Sequence, residues 1–374
     1  MAVAGDGFRV AVVGVRAVGR ELVRILRQRA FPTKALRVFA TRERDVEVDG
    51  ERYHVEAIHE DAFDEIDVAF FAGGDEKEGH FGPVAAQRGA VVIDNGDAFR
   101  MDPEVPLVVP EVNPEALRSH RNLIANPNCS TIQFVVAINP LHRAARIKRA
   151  VVATYQAVSG RGTSKNGTDP VEQLHREMKA MAERAAAAAG RGATGERLHD
   201  MVVAAEQDAD SVVTDPGLFP HPIAGNVIPQ ISSFREDGYS KEEMKLVNET
   251  RKIMGEPDLR VTATTVRVPV FNSHCEAVNL EFERPMSVAL ARELLAEAPG
   301  VVVVDDPEAS AYPTPLAASG RDEVFVGRIR EDPTVPCGLN LWIAADNLRK
   351  GAALNAIQIA ETMIAMGLLR PRAE

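Results

Sequence analysis

The chain has 374 residues, of which 45% are hydrophobic, 26% charged and 5% aromatic. These fractions are typical of a folded globular protein and exclude a disordered, collagen-like or disulfide-knotted chain. The net charge of −11 argues against nucleic acid as a partner, because a phosphate backbone needs a basic protein face.

The cysteines are few and isolated. Only Cys129, Cys275 and Cys337 occur, without a CxxC pair, so we expect neither a disulfide framework nor a metal site. No apolar run approaches the roughly 20 residues of a membrane span. The N-terminus also lacks the charged-then-apolar pattern of a signal peptide. The sequence therefore predicts a soluble cytoplasmic protein with no membrane partner.

The first part of the chain alternates strands and helices. Apolar, β-branched runs predict buried strands over 8–14, 36–40, 67–72 and 90–94. Helical spacing is seen between 18 and 30 and over 77–88, and a hairpin is expected around Asp49-Gly50. This alternation predicts an α/β fold with a Rossmann-like, doubly wound parallel sheet.

The pattern changes after about residue 130. Strands with period-2 character are predicted over 147–158, 261–270, 276–283, 323–330 and 339–345. They indicate a second α+β domain built on a mixed or antiparallel sheet.

Two helical segments accompany the second sheet and the end of the chain. The helix over 171–189 is expected to be a surface excursion, and the helix over 350–366 to pack back on the first domain. We expect a dinucleotide-binding-type domain over 1–129, completed by 350–374, and a catalytic and dimerisation domain over 130–349.

Cys129 lies between a short strand and an apolar helical run, so it is expected at a helix N-terminus. Unpaired amides and the helix dipole lower a thiol pKa there, as a nucleophile requires. A buried structural cysteine is the alternative. His274 is the candidate base, expected on the same strand-like run as Arg267, because imidazole can take up and return a proton. Strand alternation should turn its neighbour Cys275 to the opposite face.

Two arginines are candidates for binding an anionic substrate. Arg100 follows the end of a predicted strand, at the edge of the sheet where α/β proteins bind ligands. Arg267 belongs to the second domain. Together they could clamp a phosphate and a carboxylate, although surface salt bridges are the alternative.

Seven sequence runs, in the same order, resemble aspartate-semialdehyde dehydrogenases. They are LVVPEVN (107–113), NPNCSTIQ (126–133), TYQAVSG (154–160), EEMK (242–245), RVPVFNSH (267–274), FVGRIR (325–330) and DNLRKGAA (346–353). By this resemblance Cys129 is the acylated nucleophile, His274 the acid/base and Gln156 the substrate-orienting glutamine. Asn128 precedes the cysteine as in the family.

The resemblance also assigns an anion-binding set. Arg267 matches the arginine that holds the substrate carboxylate, and Glu242 belongs to the substrate site. Arg100 and Lys245 match the phosphate site. A small anionic acyl phosphate, L-aspartyl-4-phosphate or a close analogue, is the implied substrate, and a homodimer or homotetramer the implied assembly.

The implied cofactor is NADP, and the positions that would bind it are Gly14, Arg16, Val18, Gly19, Thr41, Ser159 and Gly160. This region departs from the family's pattern. The loop GVRAVG (14–19) is one residue shorter than GxTGxVG, and Asp75, Glu76 and Glu78 replace a serine-rich turn. Arg161 stands where alanine is usual. We expect these changes to weaken nucleotide binding, because a side chain keeps the pyrophosphate from the backbone and acids repel it.

Three interpretations follow. The first is NADPH-dependent reduction of the acyl phosphate to the semialdehyde through a Cys129 thioester. The second keeps the thioester but passes the acyl group to an amine or other nucleophile, as a cofactor-independent acyltransferase. The third is a non-catalytic regulatory paralogue.

Overall fold

Two β-sheets organise the chain in the computed structural model, which describes residues 7–73, 80–164, 167–190, 203 and 217–372. The acids Asp75, Glu76 and Glu78 and the start of the predicted helix over 77–88 lie outside these residues. The strands are β1 (Phe8–Val13), β2 (Thr33–Ala40), β3 (Arg44–Val48), β4 (Glu51–Ala57), β5 (Val68–Phe71), β6 (Val91–Asp94), β7 (Leu123–Ala125), β8 (Ile147–Gln156), β9 (Arg260–Arg267), β10 (His274–Phe282), β11 (Val301–Val303), β12 (Val324–Asp332) and β13 (Gly338–Ala345).

The helices surround and join these sheets. They are α1 (Ala17–Gln28), α2 (Phe81–Gln87), α3 (Cys129–Ala145), α4 (Pro170–Gly190), α5 (Lys241–Met254), α6 (Val288–Ala296), α7 (Pro315–Ala318) and α8 (Leu354–Ala365). A π-helical turn, Arg349–Ala353, leads directly into α8. Among the residues described, no helix is both long and apolar enough to cross a bilayer.

The first sheet has the order β3-β4-β2-β1-β5-β6-β7, and all its neighbouring strands are parallel except the β3–β4 hairpin. The hairpin turns at Asp49 and Gly50, whose φ angles are 50° and 79°, as an Asp-Gly turn allows. Strands β5 and β6 are buried along their whole length, as runs covered on both faces must be. The predicted Rossmann-like architecture is confirmed.

The second sheet is mixed, with the order β11-β12-β13-β10-β8-β9. Strand β10 is antiparallel to both of its neighbours, whereas β8 and β9 are parallel and place Gln156 opposite Arg267. The prediction that Arg267 and His274 share one strand is wrong. Strand β9 ends at Arg267, and β10 begins at His274 after the connection 268–273, whose last residue, Ser273, has a φ of 75°.

Helix α3 joins the two sheets, because it starts just after β7 and packs into the core of the second sheet. Its side chains Ile132, Phe134 and Leu141 are fully buried there. Cys129 therefore lies at the carboxyl edge of the parallel sheet and against the second sheet.

The remaining two helical predictions have different outcomes. The helix over 350–366 packs on the first domain as expected, with Ile357 and Ile359 in the core that surrounds β1. The surface position predicted for the helix over 171–189 is wrong for its first turns. Leu174 is fully buried with Val158 and Phe219, because the α4 N-terminus covers the segment that follows β8.

Candidate active site

The N-terminus of α3 presents Cys129 as its first residue, half-buried. Asn128 caps the helix: its Oδ1 accepts hydrogen bonds from the amides of Ser130 at 3.0 Å and Thr131 at 3.3 Å. This cap leaves the thiol at the start of the helix, as the sequence predicts.

Helix α5 supports the cap from the other side. The amide N–H of Asn128 donates to Glu249 at 2.7 Å, and its Nδ2 donates to Glu242 at 2.9 Å. The two glutamates are seven residues apart, which places both on one helix face. Ser240 begins α5 with a capping box and Gly255 ends it, so the sequence fixes this helix at both ends.

The predicted low pKa of the thiol is not found. Burial raises the pKa of Cys129 to about 12, and the charge of Glu242 adds to the increase. Arg267 and Arg100 act in the opposite direction, as does the amide of Ser130, but they do not compensate. The effect of desolvation on the thiol pKa therefore outweighs that of the helix terminus.

Gln156 and Arg267 end two paired strands beside the thiol. Gln156 Nε2 donates to Ser130 Oγ at 2.8 Å and to Glu242 Oε1 at 3.4 Å. Arg267 is 3% exposed and donates to the carbonyl of Ala157 at 2.6 Å. No carboxylate of the described residues pairs with it, and burial lowers its pKa to about 10. This guanidinium is positioned to receive an anion.

His274 is completely buried at the start of β10. Its Nδ1 accepts the amide hydrogen of Ala157 at 3.1 Å, whereas its Nε2 has no partner among the described residues. Burial, followed by the charge of Arg267, lowers the pKa of His274 well below 6.5. The ring is therefore neutral, and its proton lies on Nε2. Cys275, its neighbour, packs on the opposite face with Ala318 and Phe325, as strand alternation predicts.

Arg100 and Lys245 lie near Glu242 and are already paired. Arg100 donates to Glu249 at 3.1 Å and to the carbonyl of Asn95 at 2.7 Å, leaving its buried Nε without a partner among the residues described. Lys245 contacts Asp97 at 2.8 Å and Glu242 at 3.9 Å. The structure brings these cations to the same site, but as ion pairs instead of free charges.

The predicted nucleotide loop lies at the carboxyl edge of the parallel sheet. Gly14 has a φ of 90°, and a Cβ on Gly19 would lie 1.8 Å from the carbonyl oxygen of Gly14. The two glycines thus keep the tight strand-to-helix turn that brings backbone close to a pyrophosphate. Arg16 is exposed at the start of α1, and its Nη1 is 3.5 Å from the carbonyl of Thr163.

The other predicted cofactor positions are spread around this loop. Thr41 is exposed after β2, and Val18 is half-buried in the first turn of α1. Ser159 is buried, with its Oγ 3.1 Å from Asn272 and 3.2 Å from Asn347. Gly160 lies beside His274, since a Cβ there would be 2.7 Å from the imidazole.

Two residues in contact with this site were not predicted from the sequence. Glu249 lies on the same face of α5 as Glu242. The seven-residue spacing of the two glutamates could have indicated this from the sequence. Gly351 packs against Cys129, with an ideal Cβ only 3.0 Å from the cysteine Cβ, and it belongs to the quoted run DNLRKGAA. No cluster of three or more metal-binding side chains occurs among the described residues.

Comparison with known proteins identifies the family. The family model "Semialdehyde dehydrogenase, NAD binding domain" matches residues 9–120, and "Semialdehyde dehydrogenase, dimerisation domain" matches 138–350. Aspartate-semialdehyde dehydrogenase of Aquifex aeolicus is 46% identical, with 97% of this chain and 100% of that protein covered. The chain belongs to the aspartate-semialdehyde dehydrogenase family.

Further members of that family agree over the whole length. The Synechocystis enzyme is 43% identical, with 97% of this chain and 99% of that protein covered. The crystal structure of aspartate semialdehyde dehydrogenase II from Vibrio cholerae is 39% identical, with a TM-score of 0.82 and coverages of 96% and 99%. The same enzyme has also been solved in complex with ASA.

These findings decide several predictions. The family, the fold class and the enzymatic nature of the protein as an oxidoreductase are confirmed. The nicotinamide cofactor prediction is confirmed by the NAD-binding domain, and the chain also carries a dimerisation domain. Nothing among the relatives favours the acyltransferase interpretation.

Proposed function

We propose that the protein reduces L-aspartyl-4-phosphate, or a close analogue, to the semialdehyde with NADPH, through a thioester on Cys129. The observation that carries this proposal is a pair of buried groups that both lie beside Gly160 at this site. One is the buried guanidinium of Arg267, with which no carboxylate of the described residues pairs, and the other is the buried Nε2 of His274, which has no partner among those residues. They supply a carboxylate anchor and a hydrogen-bond donor.

Arg267 binds the substrate carboxylate. A guanidinium without a protein anion offers the two parallel donors that a carboxylate accepts. Gln156 orients the reacting group, because its amide is held by Ser130 and Glu242 beside Cys129. Asn128 fixes the thiol itself by capping α3 and bonding to both glutamates of α5.

Thioester formation transfers the acyl group to sulfur. The Cys129 sulfur attacks the acyl carbon, the bond from that carbon to the phosphate oxygen breaks, and the thiol proton leaves with hydrogen phosphate. Arg100 and Lys245 lie where they can compensate the charge of the departing phosphate, by way of the spare Nε of Arg100 and the ammonium of Lys245.

His274 acts as a hydrogen-bond donor from Nε2. Since Nδ1 is occupied by the amide of Ala157, the neutral ring presents only N–H to the reacting centre. This geometry favours donation to the oxygen that becomes negative over proton removal from the thiol. In the second half-reaction, this N–H stabilises the oxygen that becomes negative on hydride transfer, and the departing thiolate takes its proton from water, because loss of the Nε2 proton would leave an imidazolate.

The nucleotide loop fits a dinucleotide. Any Cβ at position 19 would clash with the carbonyl oxygen of Gly14, so the turn depends on the glycine that this chain has kept. This turn places backbone amides where a pyrophosphate binds. Gly14, Val18 and Gly19 would hold the phosphates together with Arg16. Thr41 would face the ribose, and Ser159 and Gly160 the nicotinamide. When bound, NADPH supplies the hydride.

Assembly and compartment follow from the same family. We propose a homodimer or homotetramer formed through the domain over 130–349, with 1–129 and 350–374 forming the nucleotide domain. The exposed apolar side chains Val171 and Phe271, which line one cavity of about 390 Å³ on α4, suit a subunit interface. The unpaired cysteines suit the reducing cytoplasm.

One experiment tests the reaction. The protein is titrated with NADPH and then assayed for phosphate-dependent oxidation of aspartate semialdehyde with NADP⁺. We expect binding and turnover. Acylation of Cys129 by an acyl phosphate, without nucleotide binding or turnover, would overturn the proposal in favour of an acyltransferase. Neither binding nor acylation would indicate a regulatory protein.

A further inference from the structure

The π-helical turn Arg349–Ala353 lies between the two halves of the active site. Its hydrogen bonds span five residues: the amide of Gly351 donates to Asp346 at 3.0 Å, and the amide of Ala353 donates to Leu348 at 3.0 Å. Such turns are rare and occur frequently at functional sites, because the extra residue redirects the backbone. Here the redirected backbone faces the thiol.

Gly351 is the point of contact with the nucleophile. An ideal Cβ on Gly351 would lie 3.0 Å from the Cβ and 3.4 Å from the Cα of Cys129. The backbone of the turn therefore packs directly against Cys129. A displacement of this turn would move the sulfur, because interiors are close-packed and transmit small shifts.

Arg349 connects the same turn to the nucleotide-binding helix. Its Nη1 is 2.5 Å from Glu21, and its Nη2 is 3.0 Å from Gln28, both on α1. Its Nε is 2.8 Å from Asp322 of the second domain. Glu21 is the fifth residue of α1, so it lies about 6 Å from the helix end that meets the cofactor phosphates.

Lys350 anchors the turn on its other side. Its ammonium is fully buried and lies 2.7 Å from both carboxylate oxygens of Glu111, with Asn355 at 3.0 Å and Gln358 at 2.7 Å. Asn355 in turn donates to Asn126, three residues before Cys129, at 2.7 Å. Because Lys350 fixes this side of the turn, a movement of α1 would shift the nucleophile and not merely deform the turn.

We propose that Arg349 is a positioning residue for Cys129. When α1 shifts on binding the nucleotide, the ion pair between Glu21 and Arg349 moves the π-helical turn, and Gly351 then displaces the Cys129 thiol. This inference rests on the proposed function, in which Cys129 is the nucleophile and α1 meets NADP. It predicts that nucleotide binding changes the reactivity of Cys129, and that Arg349 is required for this change.

The test measures the rate at which iodoacetamide alkylates Cys129, with and without saturating NADP, by mass spectrometry of the Cys129 peptide. In the unsubstituted protein and in the control Arg37→Gln, we expect NADP to change the rate by about fivefold or more. Arg37 pairs with Glu56 at 2.6 Å in the same domain, far from the turn in sequence and without a contact to it. In Arg349→Gln we expect a change of less than about twofold.

Further variants separate transmission from simple loss of structure. NADP binding is measured on each variant, and Arg349→Lys, which keeps a cation for Glu21, should retain part of the NADP effect. If Arg349→Gln does not fold, Glu21→Gln is used with the same expectation. An undiminished NADP effect in Arg349→Gln, or no NADP effect in the unsubstituted protein, would overturn the inference. Failure of Cys129 to be acylated would instead overturn the proposed function.

Discussion

The proposed substrate side and the proposed nucleotide side of the site hold their polar groups in different ways. On the substrate side, side chains hold one another: Asn128, Gln156 and Glu242 are all buried, and the first two both donate hydrogen bonds to Glu242. On the nucleotide side, the fixed geometry belongs to the backbone of Gly14 and Gly19, and the neighbouring side chains are exposed or half-buried.

This difference explains where the sequence departs from its family. A site made of interlocked side chains loses several contacts with each substitution, because an unpaired buried polar group is costly. A site made of backbone amides tolerates changes of side chain as long as the turn is kept. The shortened loop changes residues such as Arg16 but retains the close Gly14–Gly19 approach.

The largest expected effect tests the substrate side directly. Replacing the sulfur in Cys129→Ser leaves the cap of Asn128 in place but substitutes a far weaker nucleophile. We expect kcat for phosphate-dependent oxidation of aspartate semialdehyde to fall at least about 10⁴-fold, with NADPH affinity unchanged. The control is Cys337→Ser, a half-buried cysteine between β12 and β13, which should keep its activity. Substantial turnover by Cys129→Ser would show that the thiol is not the nucleophile.

The next effect concerns the carboxylate anchor. Arg267→Lys keeps a charge but loses the planar fork, so we expect kcat/KM to fall about 100-fold, or about 3 kcal/mol. With an aldehyde that lacks the carboxylate, the same substitution should have little effect. Arg260→Lys, an exposed position on the same strand, is the matched control. Equal losses with both aldehydes would exclude Arg267 as the anchor.

The sequence predicted the periodic elements well but not the groups whose roles depend on tertiary contacts. Strands such as β5 are apolar runs that any parallel sheet must bury, and the Asn128 cap is a local signal. The strand is interrupted between Arg267 and His274 by a short connection that includes the positive φ of Ser273. The raised thiol pKa depends on burial and on Glu242, which approaches from a helix more than 100 residues away. Contacts between distant segments of this kind leave no local pattern.

A smaller effect is expected on the nucleotide side. Arg16 is exposed, and among the described residues the one hydrogen bond of its guanidinium is the long one with Thr163, so its charge is available to a cofactor phosphate. We expect Arg16→Ala to raise the Kd for NADPH about fivefold, or about 1 kcal/mol, because solvent screens an exposed cation. The control is Arg20→Ala, one turn further along α1. If the Kd does not change, the loop binds through its backbone alone, which would sharpen the contrast between the two sides.

The smallest expected effect concerns a buried carboxyl group, that of Glu276, close to the substrate side. Glu276 shares the strand face of His274, and its buried carboxyl lies near the amide of Gln133 without a hydrogen bond of normal geometry. Burial raises the pKa of Glu276 well above 4.5, so the folded protein holds this carboxyl in its neutral form. The unfolded chain loses that proton at lower pH. The stability that Glu276 contributes is therefore complete below its unfolded pKa and declines as pH rises towards its folded pKa.

Glu276→Gln removes this dependence, because the amide has a similar shape and remains neutral. Urea unfolding should give similar stability for both proteins at about pH 4, and at about pH 8 the variant should be more stable by about 1 kcal/mol or more. Glu281→Gln, on the same strand but ion-paired with Lys148 at the surface, should show no such gain at high pH. If the difference between Glu276→Gln and the unsubstituted protein is the same at both pH values, Glu276 is not a neutral acid. In that case, the substrate side contains a charge that its buried hydrogen bonds do not compensate.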